Sequence, residues 1–340
     1  MKAVLVGCGG ISREWFKGVA ELEEVDLVGL VDLAKENAEA RQKEYAPNAQ
    51  IGANLAEMLR RTGPDIVFDC TVPAAHFEVV TTALRHGCHV LGEKPMADSL
   101  RQAQQMIQTA QAADKLFVVM QNWRYTHNIR RLKRFLRSDP IGTITGVNAD
   151  FYIGAHFGGF REQMAHVLLK DMAIHTFDAA RFLSGQAATS VYALEWNPAG
   201  SWYSRDAAAA ALFEMTNGVI FNYRGSWSAE GLRTPWESAW RIIGTRGSVL
   251  WNGDTDMRCE VTADESGDSF LRNYKTVPAP HYPEVKERPE RHTAVIHSFV
   301  ESVQNGAVPE TVCTDNIKSL AMVYGAVESA ETGEKIAISF

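Results

Sequence analysis

The chain has 340 residues, of which 46% are hydrophobic and 22% charged, and its formal net charge is −7. Those values describe a globular polypeptide too long for one ordinary core, so two domains are expected. The acidic balance excludes a general binder of nucleic acid or anionic membrane, which needs a positive face.

No apolar run approaches the roughly 20 residues that span a bilayer. Cys8, Cys70, Cys88, Cys259 and Cys313 are odd in number and show no CxxC or Cys/His spacing, so no metal site is expected and a reduced compartment fits. Gly7 cuts the first apolar run too early for a signal peptide. The expectation is a cytoplasmic protein.

In chain order, AVLV (3–6), VDLVGLV (25–31), DIVFDCT (65–71), CHVLG (88–92) and LFVVMQ (116–121) read as strands. They are nearly continuous apolar runs, as when both faces of a parallel sheet are covered. Helical patterns over 11–22, 34–45, 55–61, 75–86 and 100–113 alternate with them. This alternation predicts a doubly wound α/β Rossmann domain over residues 1–121.

The first turn, Gly7-Cys8-Gly9-Gly10-Ile11-Ser12, follows a strand and opens a helix. Glycines there let backbone N–H groups approach a pyrophosphate, and Ser12, at the usual third glycine, is small enough for close helix–strand packing. Asp32 ends the second strand, where a carboxylate accepts hydrogen bonds from an adenosine ribose and repels a 2′-phosphate. The cofactor read from this pair is NAD, with NADP as the alternative. Capping of the helix that follows is the plainer use of Asp32.

From residue 122 the pattern changes. Segments 144–153, 190–196, 208–215, 218–227, 236–244 and 247–252 read as strands, and Asn217-Gly218 suits a type I′ hairpin turn. Residues 122–340 are therefore expected to form an α+β domain with a large, mostly antiparallel open-faced sheet. Arg130, Arg131, Lys133 and Arg134 read as the solvated face of a helix. In LLKDMAIHTFD (168–178), Asp171, His175 and Asp178 stand at i, i+4 and i+7 on an otherwise apolar helix. Asp178 is expected to pair with Arg181.

GCGGIS (7–12), Asp32, TVPAAH (71–76), ALRHGCHVLGEKPMA (83–97) and LLKDMAIHTFDAARFLSG (168–185) together resemble the Gfo/Idh/MocA family. This is the glucose–fructose oxidoreductase and inositol dehydrogenase group of nicotinamide-dependent enzymes. The likeness continues through IIGTRGSVLWNG (242–253) and the closing helices and strand of 299–338. It implies that Lys94 lies near the nicotinamide, and that Asp171 and His175 form the catalytic pair with His175 as general acid/base. It also implies that Thr71, Pro73 and His76 pass beneath the cofactor, that Glu93 contacts its ribose, and that Lys94–Pro95 is cis. The chain departs from the family pattern at Thr71-Val72-Pro73, where Thr-Pro-Asn is usual, at Ala173, where glycine is frequent, and at His127, in a proline position.

The activity implied is hydride transfer between nicotinamide and a secondary alcohol or ketone of a sugar, sugar derivative or cyclitol. A redox-assisted NAD-dependent glycosidase and a non-catalytic dinucleotide sensor are the alternatives. Lys94 would stabilise developing alkoxide charge while His175, oriented by Asp171, moves the proton. Seven of the eight tryptophans follow residue 121 and read mostly as core or subunit interface. Trp123 beside Arg124 is a candidate sugar-ring platform. His156, Arg161 and His166, on the approach to the 168–178 helix, are candidates for substrate hydroxyls alongside His175. In the family the outer sheet face pairs with another subunit, so a homodimer or homotetramer is expected.

Overall fold

The structure of the protein, a computed structural model, describes residues 1–263, 270–280 and 282–340. The chain divides into two compact units. One is Met1–Tyr125 with Arg288–Leu320 and Phe340; the other is Thr126–Glu287 with Ala321–Ser339.

The first unit alternates β1 (Lys2–Val6), α1 (Ser12–Ala20), β2 (Asp26–Val31), α2 (Lys35–Tyr45), β3 (Gln50–Gly52), α3 (Leu55–Thr62), β4 (Ile66–Asp69), α4 (Pro73–Arg85), β5 (His89–Gly92), α5 (Leu100–Ala112) and β6 (Phe117–Val119). All neighbouring strands pair in parallel in the order β3-β2-β1-β4-β5-β6. This is the doubly wound dinucleotide-binding order, whose direction reverses between β1 and β4 and opens a crevice at their carboxyl ends. Local signals set the helix limits. Asn54 caps the Glu57 N–H at 2.9 Å and Ser99 caps that of Gln102 at 3.2 Å. Pro73 starts α4, where a missing N–H costs nothing.

On one side of this sheet Trp15 and Phe16 of α1 pack with Leu5, Phe68 and the helix Arg291–Asn305. Trp15 meets Phe68 edge-on at 5.7 Å, and Phe68 meets Phe299 at 6.1 Å. Each such pair adds about 0.5–1.5 kcal/mol beyond the area it buries. A Cβ on Gly18 would lie 2.7 Å from Ile296 Cδ1, so the glycine permits this close helix approach. Here the structure differs from the division at residue 121. The segment Arg288–Leu320 completes the apolar side of the nucleotide-binding sheet, and the first unit runs on to Tyr125.

The second unit holds α6 (His127–Arg137), β7 (Ile144–Tyr152), the short α7 (Phe160–Gln163), a π-helical turn Leu168–Ala173, α8 (Ile174–Ser184) and α9 (Pro283–Lys286). Its strands are β7, β8 (Ala188–Trp196), β9 (Ala208–Met215), β10 (Ile220–Ser226), β11 (Ala239–Gly244), β12 (Gly247–Trp251), β13 (Met257–Thr262), β14 (Tyr274–Val277) and β15 (Ile336–Ala337). Among the described residues they form one sheet, β14-β13-β12-β11-β7-β10-β9-β8-β15, antiparallel except where β7 meets β10. Asn217 and Gly218 both take positive φ at the β9–β10 turn, as a type I′ turn requires.

Alternation gives this sheet two characters. Inward, Phe213 and Tyr223 meet Phe177 of α8 edge-on at 4.8 and 5.2 Å, and Trp240 faces Trp251 across β11 and β12. Outward, Tyr192, Leu194, Trp196, Leu212 and Ile243 are exposed. The basic run of α6 is more engaged than a solvated face would be. Arg130 and Lys133 lie over the Phe182 ring, Arg131 donates to the Pro280 carbonyl, and Arg134 pairs with Glu284. Their long apolar stems cover neighbouring surface while the charges find partners at its edge.

Candidate functional site

The expected site residues fall in both units. In the first unit, Gly7 has φ +88, and a Cβ there would lie 2.7 Å from the Cys70 carbonyl carbon and oxygen. Only glycine lets the turn after β1 pass so close to the end of β4. Gly9 and Gly10 have open space where a Cβ would be, so their backbone can be approached from outside. The Ser12 hydroxyl donates to the Gly9 carbonyl at 2.7 Å, and Ile11 is exposed just ahead of α1.

Asp32 braces this turn. One carboxylate oxygen accepts the Cys8 N–H at 2.7 Å and the other accepts that of Ala34 at 2.8 Å. It thus stiffens both the glycine turn and the start of the next connection, although Ala34, not Asp32, stands at the head of α2. Burial, then the Asp32 charge, pushes the Cys8 thiol up to about 12, so it stays protonated and is no nucleophile. A cavity of about 660 Å³ opens here, lined by Gly7, Gly9, Asp32, Leu33, Thr71 and Val72 among others. Its glycine turn, the Asp32 carboxylate and its apolar walls have the chemistry that a dinucleotide's adenosine half needs.

Beyond β4, the Thr71 N–H and hydroxyl both donate to Asp69 Oδ1, at 3.0 and 2.6 Å. Pro73 opens α4 and turns the chain back. The buried His76 ring faces the Pro95 carbonyl at 2.8 Å and the Thr71 carbonyl at 3.1 Å. His76 therefore ties the Lys94–Pro95 segment, whose peptide is cis, to the Thr71 turn. Its nitrogens serve the protein's own backbone.

Glu93 follows β5 directly and lies in a buried cluster. Trp15 Nε1 donates to it at 2.7 Å, its own carboxylate accepts the Lys94 N–H at 3.1 Å, and His292 Nε2 stands 3.7 Å away. Asn122 Nδ2 lies 3.2 Å from the other ring nitrogen of His292, which leaves Nε2 as the N–H turned toward Glu93. Burial alone pushes the Glu93 carboxyl up, but His292, Trp15 and the Lys94 charge outweigh it and hold it below the usual carboxylate range. Lys94 follows directly, at the carboxyl edge of the sheet. Nothing in the sequence announces Trp15, which is 78 residues from Glu93, as a partner of it.

Trp123 and Arg124 lie in a 3-10 turn of this same unit and are buried. The Arg124 guanidinium donates to the Glu310 carbonyl at 3.1 Å and to Asp315 at 3.2 Å, which fastens the turn to the Arg288–Leu320 segment.

In the second unit Asp171 sits in the π-helical turn and His175 in the first turn of α8. The stripe inferred from a regular helix is thus broken between them by a wider i→i+5 turn, a feature frequent at functional sites. His175 is 6% exposed, and Leu168, Met172 and Ile174 of the same stretch are buried as well. Asp171 accepts Arg161 Nε at 3.0 Å. Asp178 is fully buried with Arg181 Nη1 at 3.7 Å, the pairing read from the sequence.

The other candidates separate. His156 stacks on Trp202 at 3.7 Å and bonds Glu230 at 2.9 Å. His166, at φ +55, places Nδ1 2.5 Å from Glu195 and Nε2 3.3 Å from Glu331. The Glu195 hydrogen bond raises its pKa. Tyr203, which the sequence did not single out, donates to the Ala155 carbonyl at 2.7 Å and is pushed up to about 12 by burial, so it stays protonated.

A six-stranded doubly wound sheet with a glycine turn at its switch point and an acid on the second strand defines a dinucleotide-binding protein, here joined to an α+β unit. Comparison with known proteins narrows the class. The family profile described as "Oxidoreductase family, NAD-binding Rossmann fold" matches residues 1–121, and the GFO/IDH/MocA C-terminal domain matches residues 129–250. The chain belongs to the Gfo/Idh/MocA family, and it is an NAD-dependent oxidoreductase.

Similar relatives include D-apiose dehydrogenase of Rhizobium rhizogenes, 25% identical over 350 residues that cover 99% of this chain and 97% of the relative. D-glucoside 3-dehydrogenase of Escherichia coli is 24% identical, over 99% and 97% of the two chains. An oxidoreductase from Agrobacterium radiobacter, solved with NAD+, L-tartaric acid and magnesium, shares the fold with a TM-score of 0.85 at 22% identity, over 99% and 98% of the chains. No helix among the described residues is long and apolar enough to cross a membrane.

Proposed function

We propose that the protein oxidises a secondary alcohol of a sugar, sugar derivative or cyclitol, or reduces the matching ketone, with Lys94, Asp171 and His175 as the proton relay. The observation that carries this reading is His175, buried at the junction of a π turn and α8, one turn beyond an acid held by Arg161. Burial of an imidazole has to be offset by a partner or by chemistry, and imidazole is the side chain best suited to proton transfer near neutral pH. Bound NAD supplies the hydride acceptor. In the oxidising direction His175 takes the hydroxyl proton, Asp171 stabilises the imidazolium, and the Lys94 ammonium stabilises charge on the reacting oxygen. In the first unit, Gly7, Gly9, Gly10, Ile11, Ser12, Asp32 and Thr71 would hold the cofactor. Pro73, His76 and Glu93 would shape the turns around it and position Lys94.

The dehydrogenase names of the relatives support a carbohydrate-like substrate. The exposed apolar row Tyr192, Leu194, Trp196 and Leu212 on the outer sheet face supports a homodimer or homotetramer. The test follows nicotinamide absorbance while the protein and NAD or NADP meet sugars, sugar acids, cyclitols and glycosides, with product analysis. Reduction of NAD by one class, abolished by Lys94→Ala, is the expected result. Cleaved glycoside without net reduction, or tight NAD binding with no turnover on any class, would overturn it.

A further inference from the structure

Arg161 belongs to the short helix α7 of the second unit. Its Nε donates to Asp171 Oδ2 at 3.0 Å, and its guanidinium carbon lies 5.2 Å from the centre of the Phe157 ring and 5.0 Å from that of Phe160. Phe157 is itself locked edge-on against the buried Trp227 at 5.1 Å. The loop that carries these residues is pinned at several points. The Ser204 N–H donates to the Glu162 carbonyl at 2.8 Å, the Gly158 N–H to the Glu162 carboxylate at 2.8 Å, and Trp202 Nε1 to the Ala155 carbonyl at 2.9 Å.

Two phenylalanine rings therefore take up the guanidinium, and Asp171 takes its inner edge. Among the described residues neither Nη has a hydrogen-bond partner, and the side chain is 37% exposed. A guanidinium carries five N–H donors in a fixed fork, and its terminal pair matches the two oxygens of a carboxylate. The rings give this group its direction before any ligand arrives, which lowers the cost of binding.

We infer that Arg161 is the recognition point for a substrate carboxylate, so that the protein acts on an acidic carbohydrate derivative, a hydroxylated acid of the aldonate or uronate kind. A carboxylate suits the place better than a phosphate. Asp171 already cancels the charge of Arg161, so the pair offers directed N–H groups rather than surplus positive charge. The same contact places the bound acid beside Asp171, and thus near the reacting centre; that step rests on the function proposed above.

The test separates binding from turnover. The full chain is titrated by calorimetry with D-galacturonate and D-gluconate, and with their neutral counterparts D-galactose and D-glucitol, each with and without NAD. The same compounds are then assayed for NAD reduction. At least one acid should bind more tightly than its neutral counterpart by about 10- to 100-fold, the span of a charge-assisted hydrogen-bond pair. Arg161→Gln should erase that preference, and Arg161→Lys, which keeps the charge but loses the fork, should restore only part of it. NAD binding by each variant reports that the chain still folds. Acids and neutral compounds bound equally by wild type, or a preference that survives Arg161→Gln, would overturn the inference even if NAD is reduced. An Arg161-dependent preference with no turnover on any compound would sustain it and count against the proposed reaction instead.

Discussion

The Cys8 N–H donates to Asp32 Oδ2 at 2.7 Å, so the carboxylate proposed to meet the ribose also holds the glycine turn in place. Under the proposed function, selectivity for the nucleotide and order in the turn would be two effects of one side chain. Asp32→Asn keeps an acceptor for a backbone N–H but drops the charge; Asp32→Ala loses both. The NAD-over-NADP ratio should fall in both variants, and NAD affinity should fall further in Asp32→Ala, by about tenfold or more. Equilibrium titration with both cofactors checks this, and an unchanged ratio in either variant would sink the assignment.

Gly7→Ala should do more harm than its one added methyl implies. The new Cβ would lie 2.7 Å from the Cys70 carbonyl, and φ +88 disfavours any side chain. Since the opposing atoms are backbone, the turn must move. A loss of about 1–3 kcal/mol or more in urea denaturation is expected, together with weakened NAD binding. Gly9→Ala, with open space at its Cβ, should cost less stability and act on cofactor approach instead.

His175→Ala should lower turnover by about 10²–10⁴-fold while NAD affinity stays within error, because the role proposed for the side chain is proton transfer and that proposed for the glycine turn is holding the cofactor. Stopped-flow turnover beside calorimetric NAD binding separates the two. A variant that keeps near wild-type turnover would remove His175 from the relay.

His166 should make stability depend on pH. Its pKa is raised above 6.5 by the Glu195 hydrogen bond foremost, which outweighs burial and the Lys170 charge, with Glu331 adding to the rise. The folded state thus binds this proton more tightly than the unfolded chain does. The stability gained is complete below the ordinary histidine value and is lost as pH rises through the elevated folded one. Thermal melts from about pH 6 to about pH 9 should show a decline that His166→Asn reduces. Asparagine is chosen because it tolerates the φ of +55 found there. Equal slopes for the two proteins would remove His166 as the cause.

Leu212 stands exposed on the outer sheet face between Tyr192 of β8 and Asn222 of β10. Should that face join subunits, Leu212→Glu would place a charge in an apolar contact and weaken association by about tenfold or more. Sedimentation velocity on both proteins reads the outcome. A wild-type monomer at all concentrations would dismiss the oligomer.

Five of the six strands of the first unit can be read as continuous apolar runs, because a parallel sheet covered on both faces demands them. The sixth, Gln50–Gly52, is three residues with no fully buried side chain, and only pairing with β2 makes it a strand. Strands β13 and β14 escaped for a related reason. Alternation of exposed and buried residues in MRCEVT is short, and YKTV is almost wholly exposed. The placing of Arg288–Leu320 with the nucleotide-binding sheet follows from which surface Val295, Ile296 and Phe299 bury, and periodicity shows only that they share a helix face.

For the site, the sequence by itself determined the residue types: a glycine turn, an acid on the second strand, a lysine at a strand end, and a carboxylate and an imidazole four residues apart. Short-range geometry sets the first three, since a turn or a strand end is a local property. It also fixed the Asp178–Arg181 pair, three residues apart. The partners were decided by tertiary structure alone. Arg161 reaches Asp171 across ten residues, His166 meets Glu195 and Glu331 from two other elements, and Glu93 is held by Trp15 and His292. The π turn at Leu168–Ala173, which shifts Asp171 off the regular stripe, is likewise absent from any spacing rule. Hydrogen bonds and charges act through space, so the protonation and aim of a side chain depend on neighbours that chain order does not reveal.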